Sequence, residues 1–482
     1  MDCLGTYGNS DIKTPHIDRL AADGVRFENS FCPFPVCTPS RYSLLSGLYV
    51  HDHHGWNNHS TLAAEIDTFP KILRQAGYKT KAVGKMHFTP TYLDVGFDEM
   101  VLSEQNGPGR WDDDYHRYLM RCGLVDRNDL EDQLNREYRL HARKEYWDTF
   151  GALVSNLPQK YHSTTWIANE AVKTLESWDS NQSGLLMAGF IKPHHPFDPP
   201  SPWNEMYDPQ KLTILPGWRE KCFEHDLEYS RGYFHNDKLT EPALRRVMAY
   251  YYASISQIDH HVGRMIRLLK KKGLYDNTLI IYTADHGDYM GYHHMILKGN
   301  YMYDPVMKVP LIIKWPGSEF CGTVSKSMVS NIDLAPTLCK AGGTIAGAKM
   351  RGLDLHATSL GHELIFAEYA PWREDVMARS RKHKLILSGP ANRSLFFDLE
   401  KDPLEMKNLY GAGEYQDEIK TMAAALRRWR PEEPSKENKD ICLDEGAAQI
   451  QQPNVPPGDL SHRKKIIDYY HKKMEILQKS ST

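Results

Sequence analysis

The chain has 482 residues, 41% hydrophobic and 25% charged, with a formal net charge of −3. This is the composition of an ordinary globular protein; it leaves no basic field for nucleic acid, and no run nears the roughly 20 apolar residues of a membrane span. The length exceeds what one hydrophobic core usually organises and predicts a large domain with a smaller one beside it. The eight cysteines are scattered, with no CxxC pair for structural zinc and no spacing that predicts a disulfide.

In chain order, Pro15 to Ala22 reads as a helix stopped by Gly24. Cys37-Thr38-Pro39-Ser40-Arg41 then precedes an apolar helical run, Tyr42 to Leu45, stopped by Gly47. Pro39 suits a first helical turn, where its missing N–H is no loss. The group at position 37 therefore sits at a helix N-terminus, where free N–H groups and the dipole favour an anion. Arg41, one turn on, can pair with the same charge. His51, Asp52, His53 and His54 crowd as a metal site would, but contiguous residues cannot all face one point, and a solvated loop is predicted.

Thr68 to Ala76 reads as a helix feeding a strand at Lys79 to Val83, which runs into Gly84-Lys85-Met86-His87. Lys85 and His87 share one face of an extended segment. Lys85 is placed to bind an oxyanion and His87 to hydrogen-bond a nucleophile. Gln105 to Gln159 and Ser201 to Lys238 read as long insertions over a site; Asp112-Asp113-Asp114, in the first of them, reads as a solvated turn. A buried strand at Leu185 to Phe190 leads to Lys192-Pro193-His194-His195-Pro196. The two prolines stiffen this turn, and a fixed His194 imidazole suits a general acid; His195 is the blander neighbour.

Glu241 to Lys272 reads as a long helical stretch broken near Asp259, with His260 and His261 structural. A strand at Leu279 to Ala284 leads to Asp285-His286-Gly287-Asp288, and Lys298 lies thirteen residues after Asp285. A carboxylate and an imidazole at a strand end suit a divalent cation. Strands alternating with helices predict an α/β sheet covered on both faces. Ligand sites gather at the carboxyl ends of such strands, so the three polar clusters predict one crevice. After about Leu360 come short antiparallel strands (364–368, 376–380, 384–387 and 394–399), a helix near Tyr415 to Trp429, a loop over 431–460 and a last helix over 464–478. Residues 1–360 and 361–482 are the expected domains.

The motif Cys37 to Arg41 resembles the maturation motif of the type I sulfatases. The clusters Gly84-Lys85-x-His87, Pro193-His194, Asp285-His286-Gly287 and Lys298 follow that family's order and rough spacing. So do Val309 to Gly317, Asp333 to Thr337 and Phe397 to Pro403. The resemblance, over about residues 1–430, implies an alkaline-phosphatase-like α/β fold with a small C-terminal antiparallel sheet. It implies sulfate-ester hydrolysis with a bound calcium ion, and a Cys37 converted to formylglycine by a formylglycine-generating enzyme. It assigns Cys37, Arg41, Lys85, His87, His194 and Lys298 to catalysis, and Asp285, His286 and residue 37 to the metal. The implied substrate is a sulfated small molecule or glycan. Phosphonate and phosphate-diester hydrolases share the fold and the formylglycine but tend to carry hydroxyl side chains where Lys85 and His87 stand. A non-catalytic binder of sulfated glycans is the rival from another class.

The resemblance also implies a buried strand ending in two metal-binding aspartates ahead of the Asp2 to Asn9 segment. This chain starts at Met1, directly before that segment; the expectation is a misplaced start or a truncated chain, the alternative being a protein that holds its metal poorly. Asp2 falls after the place of the pair. As it stands the chain reads as cytoplasmic; with a signal peptide upstream it reads as periplasmic or secreted.

Overall fold

The computed structural model describes residues 1–430, apart from 59, 105–112, 125–143, 228–233, 235–237, 300, 358–359, 370–374 and 390. Eleven strands run in chain order: Val25–Phe31 (β1), Lys79–Gly84 (β2), Glu99–Leu102 (β3), Gly184–Gly189 (β4), Ile280–Thr283 (β5), Leu311–Lys314 (β6), Thr323–Ser330 (β7), Ile365–Tyr369 (β8), Asp375–Arg379 (β9), His383–Leu387 (β10) and Leu395–Asp398 (β11). β3-β2-β4 form a parallel group, and β5-β6-β1-β7 a mixed one in which β6 runs antiparallel to both neighbours.

The two groups make up the central layer and contribute to the same apolar clusters. Leu185 and Met187 of β4 share an apolar cluster with Ile281 of β5, while Leu186 shares another with Ile280. Alternate residues therefore fall on opposite faces of one surface, as the pleat requires. The edge strands β4 and β5 are each paired on one side only, and their residues stay partly exposed where those of β6 are buried.

Helices cover both faces. Cys37–Ser46, Phe69–Gln75 and Leu334–Ala341 bury Tyr42, Leu45, Phe69, Leu73 and Leu334 on one of them. Ser163–Ser177 and Glu241–Lys271 pack together over the other. The long helix does not break at Asp259. Instead Asp259 is buried, and its carboxylate accepts the His16 and Ile17 N–H groups (2.9 and 2.7 Å) at the start of the helix Pro15–Ala22. An acidic residue mid-helix is here the cap of a neighbouring helix, which supplies the first-turn acceptor.

Two further expectations are corrected. Val50–His53 is a buried helical turn, not a solvated loop: His53 Nε2 meets Ser43 Oγ at 2.9 Å, and His51 Nδ1 meets Glu368 Oε1 of β8 at 2.9 Å. Asp113 is likewise buried, with both carboxylate oxygens 2.8 Å from His116 Nδ1. Most of the first insertion, the 431–460 loop and the 464–478 helix lie outside the described residues. Among the described residues no helix is long and apolar enough to cross a membrane.

β8 to β11 form a separate antiparallel sheet, in the order β11-β10-β9-β8, backed by the helix Gln416–Trp429. Its junction with the central layer is ionic. Lys384 of β10 is wholly buried and reaches Asp304 Oδ1 (2.5 Å) and Glu405 Oε1 (2.6 Å), while Arg379 of β9 reaches Asp304 Oδ2 (2.9 Å). Asp304 opens the short helix Asp304–Met307, whose Val306 carbonyl accepts the Gly287 N–H at 2.8 Å. The small sheet thus fixes the segment beneath Asp285 and His286. Removing one partner of a buried ionic group leaves the others uncompensated. Lys384→Met is expected to lower the unfolding free energy in urea by about 3–5 kcal/mol; a loss below about 1 kcal/mol contradicts this reading of the junction.

Candidate active site

The site starts from a helix end. Val36, in extended conformation, precedes the helix Cys37–Ser46, and Gly47 closes it at φ 67°, a left-handed conformation that suits glycine. Every residue of this helix is buried, Arg41 included. Cys37 is its first residue, so its side chain sits at the positive end of the dipole.

The ends of β2, β4 and β5 meet at that point. Lys85 Nζ lies 3.9 Å from Cys37 Sγ, and His286 Nε2 lies 3.2 Å from it. His194 hydrogen-bonds the same sulfur, and His87 and Lys298 face it. Arg41 Nε reaches Asp285 Oδ2 at 2.8 Å, and its Nη1 donates to the Lys85 carbonyl at 2.8 Å. The structure therefore brings Cys37, Arg41, Lys85, His87, His194, Asp285, His286 and Lys298 into one crevice. His195 stacks on His194, its ring 4.6 Å away, and His260 and His261 lie on the long helix.

Burial pushes the Cys37 thiol upward. The positive charges of Lys298 and Lys85 come first against it and, with the neighbouring His286 and His194 rings, hold the group well below the ordinary thiol range. Burial also acts most strongly on the bases: it lowers Lys85, takes His87 down to about 4, and holds His194 well below the imidazole range. Burial alone would raise Asp285, but Arg41 and His286 bring it to about 2. At neutral pH the crevice holds an ionised carboxylate, neutral imidazoles at His87 and His194, and an anion-stabilising position 37.

Two imidazoles are aimed by backbone carbonyls. His286 Nδ1 donates to Gly287 O and His194 Nδ1 to His195 O (2.8 and 2.7 Å), which leaves each Nε2 for the site. The Cys37 sulfur, a carboxylate oxygen of Asp285 and a His286 nitrogen lie within 4.8 Å of one another. That is a cation's donor set in kind, with a buried ionised oxygen and an imidazole lone pair. It is short in number, since calcium takes six to eight oxygens. Asp2 is exposed and outside this group.

Sequence reasoning placed these side chains but missed what holds their loops. His87 is not in an extended segment: its φ is +59°, a conformation that strains a residue with a Cβ. The buried Glu104, just past β3, accepts the Met86 and His87 N–H groups at 2.9 Å each. Burial lifts this carboxyl to about 7, against the pull of those N–H groups and Lys85. Buried Asp198 pairs with buried Lys192, whose Nζ also donates to the Pro196 carbonyl (2.9 Å), so a clamp closes around His194. Asp288 Oδ1 accepts the Met290 and Leu297 N–H groups (3.1 Å each) in the loop that delivers Lys298, where Met290, His293, His294 and Leu297 all have positive φ. A lone acidic residue outside any motif carries no sign of such a role, and of Glu104, Asp198 and Asp288 only Asp288 lies in a polar cluster at a strand end.

A nucleophile position at a buried helix start, in an α/β layer and ringed by cations, defines a hydrolase of the alkaline phosphatase superfamily. The sulfatase family model matches residues 2–344, and that of the N-sulphoglucosamine sulphohydrolase C-terminal region matches residues 291–432. The chain belongs to the sulfatase family and is a sulfuric ester hydrolase. It is 28% identical over 465 residues to an arylsulfatase of Clostridium perfringens, covering 87% of this chain and 89% of the relative. It is 27% identical over 487 residues to an N-acetylglucosamine-6-O-sulfatase of Bacteroides thetaiotaomicron, covering 92% and 85%. In fold it is similar to the phosphonate monoester hydrolase of Agrobacterium radiobacter, with TM-score 0.72, 23% identity, and coverage of 94% and 97%.

The electrostatics give a direct expectation for Cys37 as a thiol. Its thiolate should appear at lower pH than that of an ordinary thiol, read as ultraviolet thiolate absorbance missing from Cys37→Ala. Lys298→Ala should raise the titration midpoint, because Lys298 is the first of the charges that hold it down. An unchanged midpoint contradicts the ordering of charges described above.

Proposed function

We propose that the chain hydrolyses sulfate esters through formylglycine at residue 37, aided by a divalent cation. The observation that carries this is the convergence of Lys85, Lys298, His194 and Arg41 on a single residue at a helix N-terminus. In the structure the Cys37 sulfur stands in for the oxygens of the matured residue. A formylglycine-generating enzyme is the implied maturation partner, and a sulfated small molecule or glycan the implied substrate.

Formylglycine at residue 37 would supply a hydrated aldehyde, with one hydroxyl as nucleophile towards sulfur and a second whose deprotonation lets the aldehyde re-form. The cation, calcium by family resemblance, would be held by Asp285, His286 and residue 37 and would polarise the oxygens there. The chain's own residues do the rest. Lys85 and Lys298 neutralise the sulfate oxygens as the S–O bond to the alcohol breaks. Arg41 fixes Asp285 and adds positive charge beside residue 37. His194 is neutral and its Nδ1–H is given to His195 O, so its inward Nε2 is an acceptor; Lys298 is the donor of the proton that the departing alkoxide takes, and His194 serves by accepting from that ammonium and aiming it. His87, also neutral, accepts the proton released from the second hydroxyl.

A phosphate- or phosphonate-ester reading is the second one, favoured by the fold likeness to the phosphonate monoester hydrolase. The matured protein should cleave 4-nitrophenyl sulfate faster than bis(4-nitrophenyl) phosphate or phenyl phosphonate esters. Cys37→Ala should abolish turnover, Lys85→Ala should lower kcat by about 10²- to 10³-fold, and chelation should lower activity until calcium is restored. Faster cleavage of the diester overturns the sulfatase assignment in favour of the second reading.

A further inference from the structure

Glu104 belongs to no motif, lies outside the ring of groups that face residue 37, and is 2% exposed. Its carboxylate is spent entirely on backbone: Oε1 accepts the N–H groups of Met86 and His87, both at 2.9 Å, and Oε2 stands 3.0 Å from the His87 nitrogen. The tripeptide it grips is held at its other polar groups as well. Lys85 N–H donates to Gly189 O (2.7 Å), Arg41 donates to Lys85 O (2.8 Å), and Thr38 Oγ1 donates to His87 O (2.8 Å). Among these contacts only Glu104 holds the N–H of the strained residue itself. A non-glycine residue at φ +59° is strained and persists only where its surroundings over-determine it.

Glu104 is fixed in turn. Its own N–H donates to Asp113 Oδ2 (2.7 Å), and Asp113 is gripped by His116. The N–H of Ser103, beside it, donates to Gly84 O (3.1 Å), so β3 runs on in register with the end of β2. With its backbone in this left-handed turn, the His87 side chain faces residue 37, and the Met86 N–H that Glu104 also holds follows directly on Lys85, whose ammonium lies 3.9 Å from the Cys37 sulfur. An extended residue there would point the chain elsewhere.

We propose that Glu104 is the positioning residue of the catalytic segment, acting through the His87 backbone to place the His87 imidazole and the Lys85 ammonium at residue 37. The proposal rests on the reading of His87 and Lys85 given above. It distinguishes Glu104 from a carboxylate that merely fills a polar hole: the cost of its loss falls on the reaction rather than on substrate binding. Displacing a catalytic group by about 1 Å costs roughly 10²-fold in rate.

The test compares Glu104→Ala and Glu104→Gln with the matured wild type on 4-nitrophenyl sulfate, with thermal unfolding as control. Glu104→Ala is expected to lower kcat by about 10²-fold with KM within a few-fold of wild type. Glu104→Gln keeps one carbonyl oxygen for the two N–H groups but turns an amide against the His87 N–H; it should stand between the two, losing about tenfold in kcat, and so decides the matter if the alanine variant does not fold. The second readout needs no turnover. The His87 ring resonances, assigned with His87→Asn, should shift in both variants while the His53 ring resonances stay put. Wild-type kcat and unmoved His87 resonances in Glu104→Gln overturn the proposal. If wild type itself fails to cleave sulfate esters, the functional reading falls, and the His87 resonances alone decide whether Glu104 positions the segment.

Discussion

The structure is governed by the cost of gathering positive charge in a buried place. Lys85, Lys298 and Arg41 converge on one position at the positive end of a helix, inside an apolar layer. Such groups repel one another and are poorly solvated there, as the lowered Lys85 shows. An arrangement of this kind is stable only with an anion at its centre. The ionised Asp285 carboxylate paired with Arg41 supplies part of that negative charge, and the anionic sulfate group of an ester brings the rest. The field that makes the site costly when empty is the field that stabilises negative charge as it develops during reaction.

What resists the repulsion is a second circle of carboxylates that never face the substrate. Glu104 holds the Lys85 to His87 segment, the Lys192–Asp198 pair holds the His194 turn, and Asp288 holds the loop before Lys298. Each accepts backbone N–H groups or pairs with a buried cation, so each fixes a conformation as well as a charge. Asp304 does the same at longer range, joining the small antiparallel sheet to the segment under Asp285. The C-terminal sheet is thereby part of the catalytic frame, through the buried Lys384 and Arg379 that meet Asp304.

Much of this was legible in the sequence, for identifiable reasons. Helix starts and stops announce themselves through Pro and Gly, and the helix Pro15–Ala22 has the bounds its residues predict. Buried strands of β-branched and apolar residues are equally plain, and the polar clusters behind β2, β4 and β5 do share a crevice. What stayed hidden depends on contacts distant in sequence. Asp259 suggests a broken helix until the helix at Pro15 is seen capped by it, 243 residues away in sequence from His16. Asp113 and the His51–His54 turn look like solvated polar runs because their partners, His116 aside, come from other elements, such as Ser43 and Glu368. The left-handed turn at His87 is invisible because no glycine marks it. Glu104, which holds it, belongs to no periodic pattern.

The account turns on the chemical state of residue 37, and one measurement reads it most directly. The protein is expressed with and without a formylglycine-generating enzyme, and the peptide bearing residue 37 is analysed by tandem mass spectrometry after trapping with a hydrazide. The account predicts a trapped aldehyde at residue 37 in a fraction that rises in proportion to sulfate-ester turnover. Full turnover from a preparation in which residue 37 is entirely thiol would contradict it.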